Sequence, residues 1–257
     1  MKKLVQMFLV VTVIIASFWG SALAEPTGKD WYIALRLGYS PFTMEADGTV
    51  ANRNFHTKAD LSDIMDKMDT TLGGIDVEFG MGKWFGILQG MYMKMETEEG
   101  NTANGHTAML KQVAFNPTLG YKVYQGKFDG NQSLHIDGLA GLSYMKTSWE
   151  FNLYDTVLGN LSRSNDFSTL DPMIGARVRY MFTKNFGMMA QGQIGGFGVG
   201  TELQYIASAN LVYAFNHMIS MAVGYKYWYF KYEDEGAVLK KLEQKVYGPT
   251  IGLQLTF

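Results

Sequence analysis

The sequence predicts an all-β protein, a closed antiparallel up-and-down β-barrel that crosses a membrane with about ten strands, eight being the alternative count. Three observations predict this fold. Apolar and polar residues alternate along most of the chain, the polar side of the alternation carries few charges, and aromatic residues end the apolar stripes. Composition agrees, since the 257 residues include 29 Gly and are 14% aromatic and 18% charged. A typical soluble domain carries about 25% charged residues.

Alternation with a period of two is the signature of a strand with two different faces. At the end of the chain one face carries Tyr247, Ile251, Leu253, Leu255 and Phe257. The opposite faces hold mostly Gly, Ser, Thr, Asn and Gln, which suit a crowded lumen better than a water-exposed surface. Aromatic pairs such as Tyr180 with Phe182 end the stripes, as expected of girdles at the two bilayer interfaces.

Ten strands are predicted from these stripes and from the turns between them. Short links alternate with longer polar ones, and the even count places both termini on the periplasmic side. The segment from Trp84 to Met95 is ambiguous because both of its faces carry apolar residues. The predicted strands are 30–41, 72–82, 84–97, 107–124, 133–150, 167–182, 186–197, 201–215, 218–233 and 246–257.

The first residues have the pattern of an export signal. Lys2 and Lys3 precede a nearly apolar run from Leu4 to Trp19, and 22–24 read Ala-Leu-Ala, a cleavage site. A membrane anchor helix is the competing interpretation, but the run is short against the roughly 20 residues that a span requires. We expect a cleaved signal peptide over 1–24 and a barrel domain over 25–257, located in the outer membrane of a Gram-negative bacterium.

Composition excludes several kinds of chemistry. The chain has no cysteine, which excludes thiol nucleophiles and thiolate metal sites. Its net charge of −2 gives no reason to expect a nucleic-acid partner. No catalytic, cofactor-binding or metal-binding residues are predicted. His135 and Asp137 share a face with Ser143, but eight residues of strand separate Ser143 from His135, too far for proton transfer.

Ten charged residues are predicted to face the lumen. Unpaired charges are costly in a narrow lumen, so we expect a network of ion pairs that fills and rigidifies the barrel. A charge-lined constriction for a small solute is the alternative. The predicted residues are Arg36, Asp76, Glu78, Lys122, His135, Asp137, Arg177, Arg179, Glu202 and Lys226.

One helical pattern interrupts the strands. In residues 58–69, Leu61, Ile64, Met65 and Met68 fall on one face of a helix. This short loop helix is expected at the outer mouth, where it packs on the rim or into the lumen as a plug. A lid over a ligand entry is the alternative interpretation.

The last eight residues resemble the C-terminal signal that is read by the outer-membrane assembly machinery. Thr250, Gly252, Leu255 and the terminal Phe257 occupy its polar, glycine, apolar and aromatic positions. The resemblance implies that this machinery is a partner of the chain.

Longer segments resemble a group of uncharacterised outer-membrane barrel proteins, loosely related in architecture to OmpA-type and OmpW-type barrels. The resemblance implies a fold and a location, and it carries over no catalytic or binding residues. It rests on residues 61–69, 82–86, 171–177, 195–200, 224–227 and 248–249.

The expected function is therefore that of a non-enzymatic outer-membrane barrel with a narrow, salt-bridged lumen. It has a structural role or passes small solutes or apolar ligands, with outer-membrane lipid as its surroundings. Ten strands enclose too little space for a wide porin. Two alternatives stay open, an enzyme acting on lipid or peptide and a surface interaction protein. His106 lies in an outer loop, but the paired-aspartate motif of omptin-like protease barrels is missing.

Overall fold

The computed structural model describes residues 31–40, 42–50, 53–59, 68–100, 104–128, 131–155, 161–233 and 239–257. This part of the chain forms twelve strands and no helix. The strands are β1 (Trp31–Tyr39), β2 (Thr43–Val50), β3 (Arg53–Ala59), β4 (Met68–Met81), β5 (Trp84–Gly100), β6 (Asn104–Lys127), β7 (Ser133–Asp155), β8 (Leu161–Met181), β9 (Phe186–Gly196), β10 (Leu203–Ala214), β11 (Ile219–Glu233) and β12 (Leu239–Thr256). The predicted signal peptide lies outside the described residues.

The strands close into an antiparallel barrel. β4 to β12 pair in chain order, β1 pairs with β4, and β12 pairs back to β1. β1 and β2 follow one continuous register along β12, with Tyr39 opposite Ile251 and Thr43 opposite Tyr247. They therefore share one position, and the ring has ten positions. The predicted count of ten strands is confirmed.

The β2–β3 hairpin departs from the prediction, which had one long polar link after residue 41. β2 pairs with β12 on one edge and with β3 on the other. β2 was missed because its inward apolar stripe is only three residues long, Phe42, Met44 and Ala46. The helix predicted over 58–69 was wrong at its ends, since 58–59 belong to β3 and 68–69 to β4; its centre, 60–67, lies outside the described residues.

The strand pairing in the barrel wall changes near the point where β1 ends and β2 begins. Pairing between β1 and β4 runs from Trp31 with Met81 to Arg36 with Asp76. The residues of β4 before Asp76 pair with β5, and no pairing of them with β1, β2 or β3 is present among the described residues. We call the line between β4 and the β2–β3 hairpin the seam.

The two faces of the strands have the predicted orientations. Outward residues such as Ile33, Leu253 and Phe257 are exposed to the surroundings of the ring, whereas Arg36 and Gln254 are buried inside. In the ambiguous strand β5, the odd-numbered residues face inward, among them Phe85 and Met91. No helix in the described part of the chain is long and apolar enough to span a membrane.

Several strands are longer than a membrane requires. β6, β7 and β8 have 24, 23 and 21 residues, whereas about 9–11 residues cross a bilayer as a tilted strand. These strands also extend past their predicted ends at the side opposite the termini. The barrel wall therefore continues beyond the apolar belt on the side of the longer loops.

Candidate functional site

The half of the lumen near the chain termini is filled by six charged side chains, which we call the ionic layer: Arg36, Asp76, Glu78, Asp137, Arg177 and Arg179. Each is almost completely buried. Arg36 binds both acids of β4, through Nη1 to Asp76 Oδ1 at 2.8 Å and through Nη2 to Glu78 Oε2 at 2.6 Å. Alternation along β1 and β4 places these three side chains on the same inward face, and the β1–β4 register sets Arg36 opposite Asp76.

A second group of the ionic layer lies on β7 and β8. Arg177 Nε donates to Asp137 Oδ2 at 2.7 Å, and Arg179 Nη2 lies 3.3 Å from the same oxygen. Arg177 Nη1 also reaches Glu78 Oε2 at 2.9 Å. Because β5, β6 and β7 separate β4 from β8 in the ring, this last pair crosses the lumen. The ionic layer therefore joins walls of the barrel that lie four strand positions apart.

Uncharged side chains add hydrogen bonds to the ionic layer. The Tyr32 hydroxyl donates to Glu78 Oε1 at 2.5 Å, Gln89 Nε2 donates to Asp76 Oδ2 at 2.9 Å, and Arg36 Nε donates to Gln254 Oε1 at 2.8 Å. These three residues were not predicted as part of the network. Their parity on β1, β5 and β12 was the signal that could have identified them.

An aromatic ring supports the central arginine. The Arg177 guanidinium lies 4.3 Å from the centre of the Phe85 ring, a cation–π contact. Phe85 has room because residue 120 on the neighbouring strand is glycine; a Cβ there would come within 2.0 Å of the ring. Gly120 is thus required by the packing of the ionic layer.

The other predicted lumen residues have different surroundings. Lys122 is buried, with its Nζ 5.5 Å from the Tyr32 ring centre, and Lys226 is buried within the electrostatic range of Asp76. His135 is half-buried near the start of β7, where its Nδ1 lies 3.4 Å from Gln125 Nε2. Glu202 was placed wrongly. It is exposed on the turn before β10, because the inward alternation starts only inside that strand.

Beyond the ionic layer, towards the longer loops, apolar side chains fill much of the interior, beside the buried polar residues Gln112, Thr147 and Gln244. We call these apolar side chains the apolar layer; they come from β2, β5, β6, β7, β11 and β12 and are all buried. The sequence did not single them out, because on β11 the inward parity changes from small and charged residues to Trp and Phe without a break. The apolar layer consists of Phe42, Met44, Ala46, Met91, Met93, Ala114, Met145, Trp228, Phe230 and Leu242.

A cavity of about 40 Å³ lies where the apolar layer meets Lys226. This volume exceeds the roughly 10–15 Å³ that one water molecule needs. Its lining is almost entirely apolar, and it reaches the break between β1 and β2. The lining residues are Ser40, Phe42, Met91, Met93, Lys226, Trp228, Val246, Tyr247 and Gly248.

Hydrogen bonds fix Trp228, the largest side chain of this lining. The Gln204 amide, in the orientation that satisfies both of its ends, accepts from the Trp228 indole at 3.0 Å and donates to Asp171 Oδ2 at 3.2 Å. Asp171 Oδ1 in turn accepts the backbone N–H groups of Gly200 at 3.1 Å and Thr201 at 2.7 Å. The indole is therefore anchored to the β9–β10 turn.

The residues of the predicted assembly signal lie on β12 or directly after it. Leu255 and Phe257 have the outward parity, and Thr250 and Gly252 have the inward parity. The backbone of Phe257 exchanges hydrogen bonds with that of Ile33. In the described part of the chain, no group of three or more His, Cys, Asp or Glu side chains could hold a metal ion.

Solved structures place this architecture among known barrels. The outer membrane protease OmpT from Escherichia coli matches with a TM-score of 0.50 and 11% identity, over 90% of this chain and 98% of that chain. The fold is that of a small outer-membrane β-barrel. At this identity the likeness concerns the fold alone.

Two further structures match less well. They are Ail, the attachment invasion locus protein of Yersinia pestis (TM-score 0.36, 10% identity, 89% of this chain and 100% of that chain), and the outer membrane protein OprG from Pseudomonas aeruginosa (TM-score 0.32, 13% identity, 89% and 97%). No family model matches the chain, and no curated protein matches it.

Proposed function

We propose that the protein is a non-enzymatic barrel of the Gram-negative outer membrane that binds the apolar part of a ligand in its upper lumen. The observation that carries this proposal is the order of the two layers along the barrel axis. A buried ion network joins distant walls near the chain termini, and a mainly apolar interior with a cavity follows on the side of the longer loops. In this proposal no solute passes along the barrel axis.

The ionic layer and the apolar layer differ in how easily a ligand can take the place of their side chains. Displacing the ionic layer would expose buried charges to an apolar ligand or separate them from their partners, which costs several kcal/mol per ion in order of magnitude. The apolar layer contains Met44, Met91, Met93 and Met145. Methionine is unbranched and adapts to irregular shapes, so the cavity can expand around a ligand by changes of side-chain conformation.

Access from the side favours an apolar ligand. The cavity reaches Ser40 and Phe42, where β1 gives way to β2, and the seam between β4 and the β2–β3 hairpin lies next to this break. Around the same ring, the outward residues that meet the surroundings are apolar. We propose that the ligand enters through the seam from the membrane and leaves the ionic layer closed.

The membrane location rests on three further supports. An apolar outward belt is stable only next to an apolar phase, and aromatic residues stand at its edges. The fold is shared with an outer-membrane barrel. The C-terminal residues fit the signal of the assembly machinery, which we propose as a partner together with outer-membrane lipid.

The non-enzymatic part of the proposal rests on separation of the groups. Ser143, in the middle of β7, is hydrogen-bonded to Gln204, whereas His135 lies near Gln125 at the start of the same strand. Eight residues of strand between Ser143 and His135 correspond to about 26 Å. The protease activity in the name of OmpT is a property of that protein.

The test uses Trp228 as a reporter inside the lumen. Replacing Trp19, Trp31, Trp84 and Trp149 by Phe leaves Trp228 as the one tryptophan. The protein is folded into phospholipid vesicles, and folding is checked by the change in gel mobility between unheated and heated samples. We then add 1-bromooctane, an apolar molecule whose bromine quenches tryptophan at contact. We expect saturable quenching of Trp228.

A matched pair of variants locates the quencher. Gly248→Leu fills the cavity and should reduce the quenching strongly, whereas Ile251→Phe changes the outward face of the same strand and should leave it unchanged. Absence of quenching in the reporter protein would overturn the proposed function. Equal quenching in both variants would contradict the assignment of the site to the cavity.

A further inference from the structure

We infer that the protein binds an extended segment of another protein, with alternating apolar and basic residues, along the edge of β8 on the side of the longer loops. This site is separate from the apolar cavity and goes beyond the proposed function. It follows from the unequal lengths of neighbouring strands. β8 begins at Leu161, but β9 pairs only with its residues Met173–Met181. In the described part of the chain, the residues of β8 before Met173 pair with β7 and with no other strand.

The short hairpin of β9 and β10 leaves a gap in the barrel wall beside this edge. β9 has 11 residues, about as many as a tilted strand needs to cross a bilayer. Past the β9–β10 turn, β8 continues with Leu161–Pro172 and β11 with Tyr232 and Glu233. We call the gap between these two parts of β8 and β11 the notch. In the proposed location, the notch lies outside the bilayer at the cell surface.

The backbone of β8 offers hydrogen-bonding groups to the notch. A Cβ added to Gly200 in the β9–β10 turn would lie 2.8 Å from the Leu170 nitrogen and 3.0 Å from its carbonyl oxygen, so these groups of Leu170 point towards the notch. Every second residue of a strand directs its N–H and C=O groups to the same side. Ser164, Asp166 and Ser168 therefore present theirs to the notch as well. A row of this kind is a template for the addition of another strand.

The inner side of the notch is aromatic. The rings of Phe167 on β8 and Tyr232 on β11 stack with their centres 4.8 Å apart and an angle of 23° between their planes. Both side chains pack against the apolar layer. A strand added to β8 would direct every second side chain to this face. Those side chains should be apolar, because polar groups would lose water there without gaining a partner.

The outer side of the notch is acidic. The turn and the two strands that border it carry three carboxylates and one lysine on this side: Asp166, Glu202, Glu233 and Lys231. On β7, Lys146, which pairs with Asp166 at 3.7 Å, and Glu150 offset each other in charge. The remaining side chains of an added strand would meet this net negative charge. They should be basic, because opposite charges on adjacent strands attract each other.

The parity of β8 decides which residues of the segment form the hydrogen bonds. In an antiparallel pair, residues opposite each other share a face of the sheet and, at hydrogen-bonded positions, exchange both bonds. Ser164, Asp166 and Ser168 are exposed on the outward face and direct their backbone groups to the notch. Their partners are therefore the outward, basic residues of the segment. The N–H groups of its apolar residues point away from β8.

The experiment uses a fluorescent octapeptide of alternating lysine and valine and the full barrel in nanodiscs of phosphatidylcholine, a lipid without net charge. Binding is measured by fluorescence anisotropy. Two further forms of the peptide are methylated on the backbone nitrogens, one at its lysines and the other at its valines. We expect the unmodified and the valine-methylated peptides to bind saturably. The lysine-methylated peptide should bind at least about tenfold more weakly, because each lost hydrogen bond weakens binding about two- to tenfold.

A matched pair of protein variants locates the peptide. Ser168→Pro removes an N–H group that points to the notch and leaves the groups that pair with β7, a position where a strand tolerates proline. We expect binding about fivefold or more weaker in this variant. Ser168→Ala removes the hydroxyl and keeps the N–H group, so it should bind like the wild type. Folding of both variants is checked by the change in gel mobility on heating.

Three results would overturn the inference. The first is absence of binding of the unmodified peptide, and the second is equal binding of the two methylated peptides, which would show attraction by charge or apolar contact without strand pairing. The third is association of the wild type with itself that is lost in Ser168→Pro, because the edge would then belong to an interface with a second copy of this chain. Weaker binding in Ser168→Pro, together with loss of binding only in the lysine-methylated peptide, would support it.

Discussion

The two halves of the lumen are filled by side chains of different chemistry, which come mostly from different strands of the barrel. Near the chain termini, Arg177, Glu78 and Arg36 form a continuous set of ion pairs with fixed partners. Towards the longer loops, Met91, Met145 and their neighbours form an apolar cluster, and the buried amide of Gln112 hydrogen-bonds beside it to Thr147 and Gln244. The first half is held by ion pairs between particular partners, and the second is held mainly by apolar contacts with a few neutral hydrogen bonds.

This difference indicates which half of a ten-stranded barrel can bind a ligand. Ion pairs that are buried and shared depend on geometry, and removal of one partner leaves another charge without compensation. Apolar contacts among flexible side chains can be exchanged for contacts with a ligand at little cost. Four sets of substitutions test this difference.

The largest effect is expected for Glu78→Gln. Glu78 binds Arg36 and Arg177 at once, so its loss leaves two buried guanidinium groups with one charge partner fewer each. We expect the free energy of unfolding to fall by about 3–5 kcal/mol. The measurement is the urea midpoint of unfolding in phospholipid vesicles.

Glu233→Gln is the matched control for that substitution. Glu233 forms an ion pair of similar length with Lys231, 2.7 Å, but the two side chains are 41% and 31% exposed. Exposed pairs contribute little, so the midpoint should not change. Equal destabilisation by the two substitutions would contradict the distinction between buried and exposed pairs.

The second prediction concerns the outer surface of the half of the barrel near the chain termini. Leu253→Arg places a charge on an outward residue of β12, next to the inward Gln254 that accepts a hydrogen bond from Arg36 of the ionic layer. If Leu253 faces the middle of the bilayer, unfolding becomes easier by about 2–4 kcal/mol. Leu253→Val should stay close to the wild type. If Leu253→Arg left the free energy of unfolding unchanged, β12 could not face the membrane at this position.

The third prediction tests the support of Arg177. Gly120→Ala adds a methyl group that would overlap the Phe85 ring, and the ring would have to move from beneath the guanidinium. Overpacking of this kind costs about 1–3 kcal/mol. In Gly192→Ala the new methyl group meets nothing within 4 Å, so this variant should unfold at the wild-type midpoint. Equal unfolding midpoints for the two alanine variants would contradict the packing of the Phe85 ring against Gly120.

The smallest effect is expected in the apolar layer. Met145→Leu conserves volume at a position that is only 1% exposed and should cost less than about 1.5 kcal/mol. Arg177→Lys is equally conservative in charge but loses the planar group that binds both Asp137 and Glu78, and it should cost more. The same urea titration compares them, and a Met145→Leu protein less stable than Arg177→Lys would reverse the comparison of the two halves.

Much of the fold could be predicted because strand alternation is a local property. The parity of Ile33, Arg36, Leu253 and Gln254 follows from their neighbours in the chain, and the structure agrees. The β2–β3 hairpin was missed because β2 is short and carries acidic Glu45 and Asp47 on its outward face, which made it look like a polar loop. Glu202 was misplaced because alternation cannot define where a strand begins.

The site could be predicted only in part, for a geometric reason. Arg36 and Asp76 lie opposite each other on adjacent strands, so their contact follows from the register. The contact between Glu78 and Arg177 joins strands that are far apart in the ring, and it depends on the diameter and stagger of the closed barrel. The apolar layer depends on the same closure, because it is assembled from residues of six strands.

The most direct test of the central proposal, that the ionic layer closes the barrel axis, is ion conductance of the folded protein in a planar lipid bilayer. We predict no steady conductance for the wild type, since the Glu78–Arg177 contact spans the lumen. The double variant Glu78→Ser with Arg177→Ser removes that contact and both of its charges and should produce open-channel currents. A steady conductance of the wild type, equal to that of the double variant, would contradict the proposal.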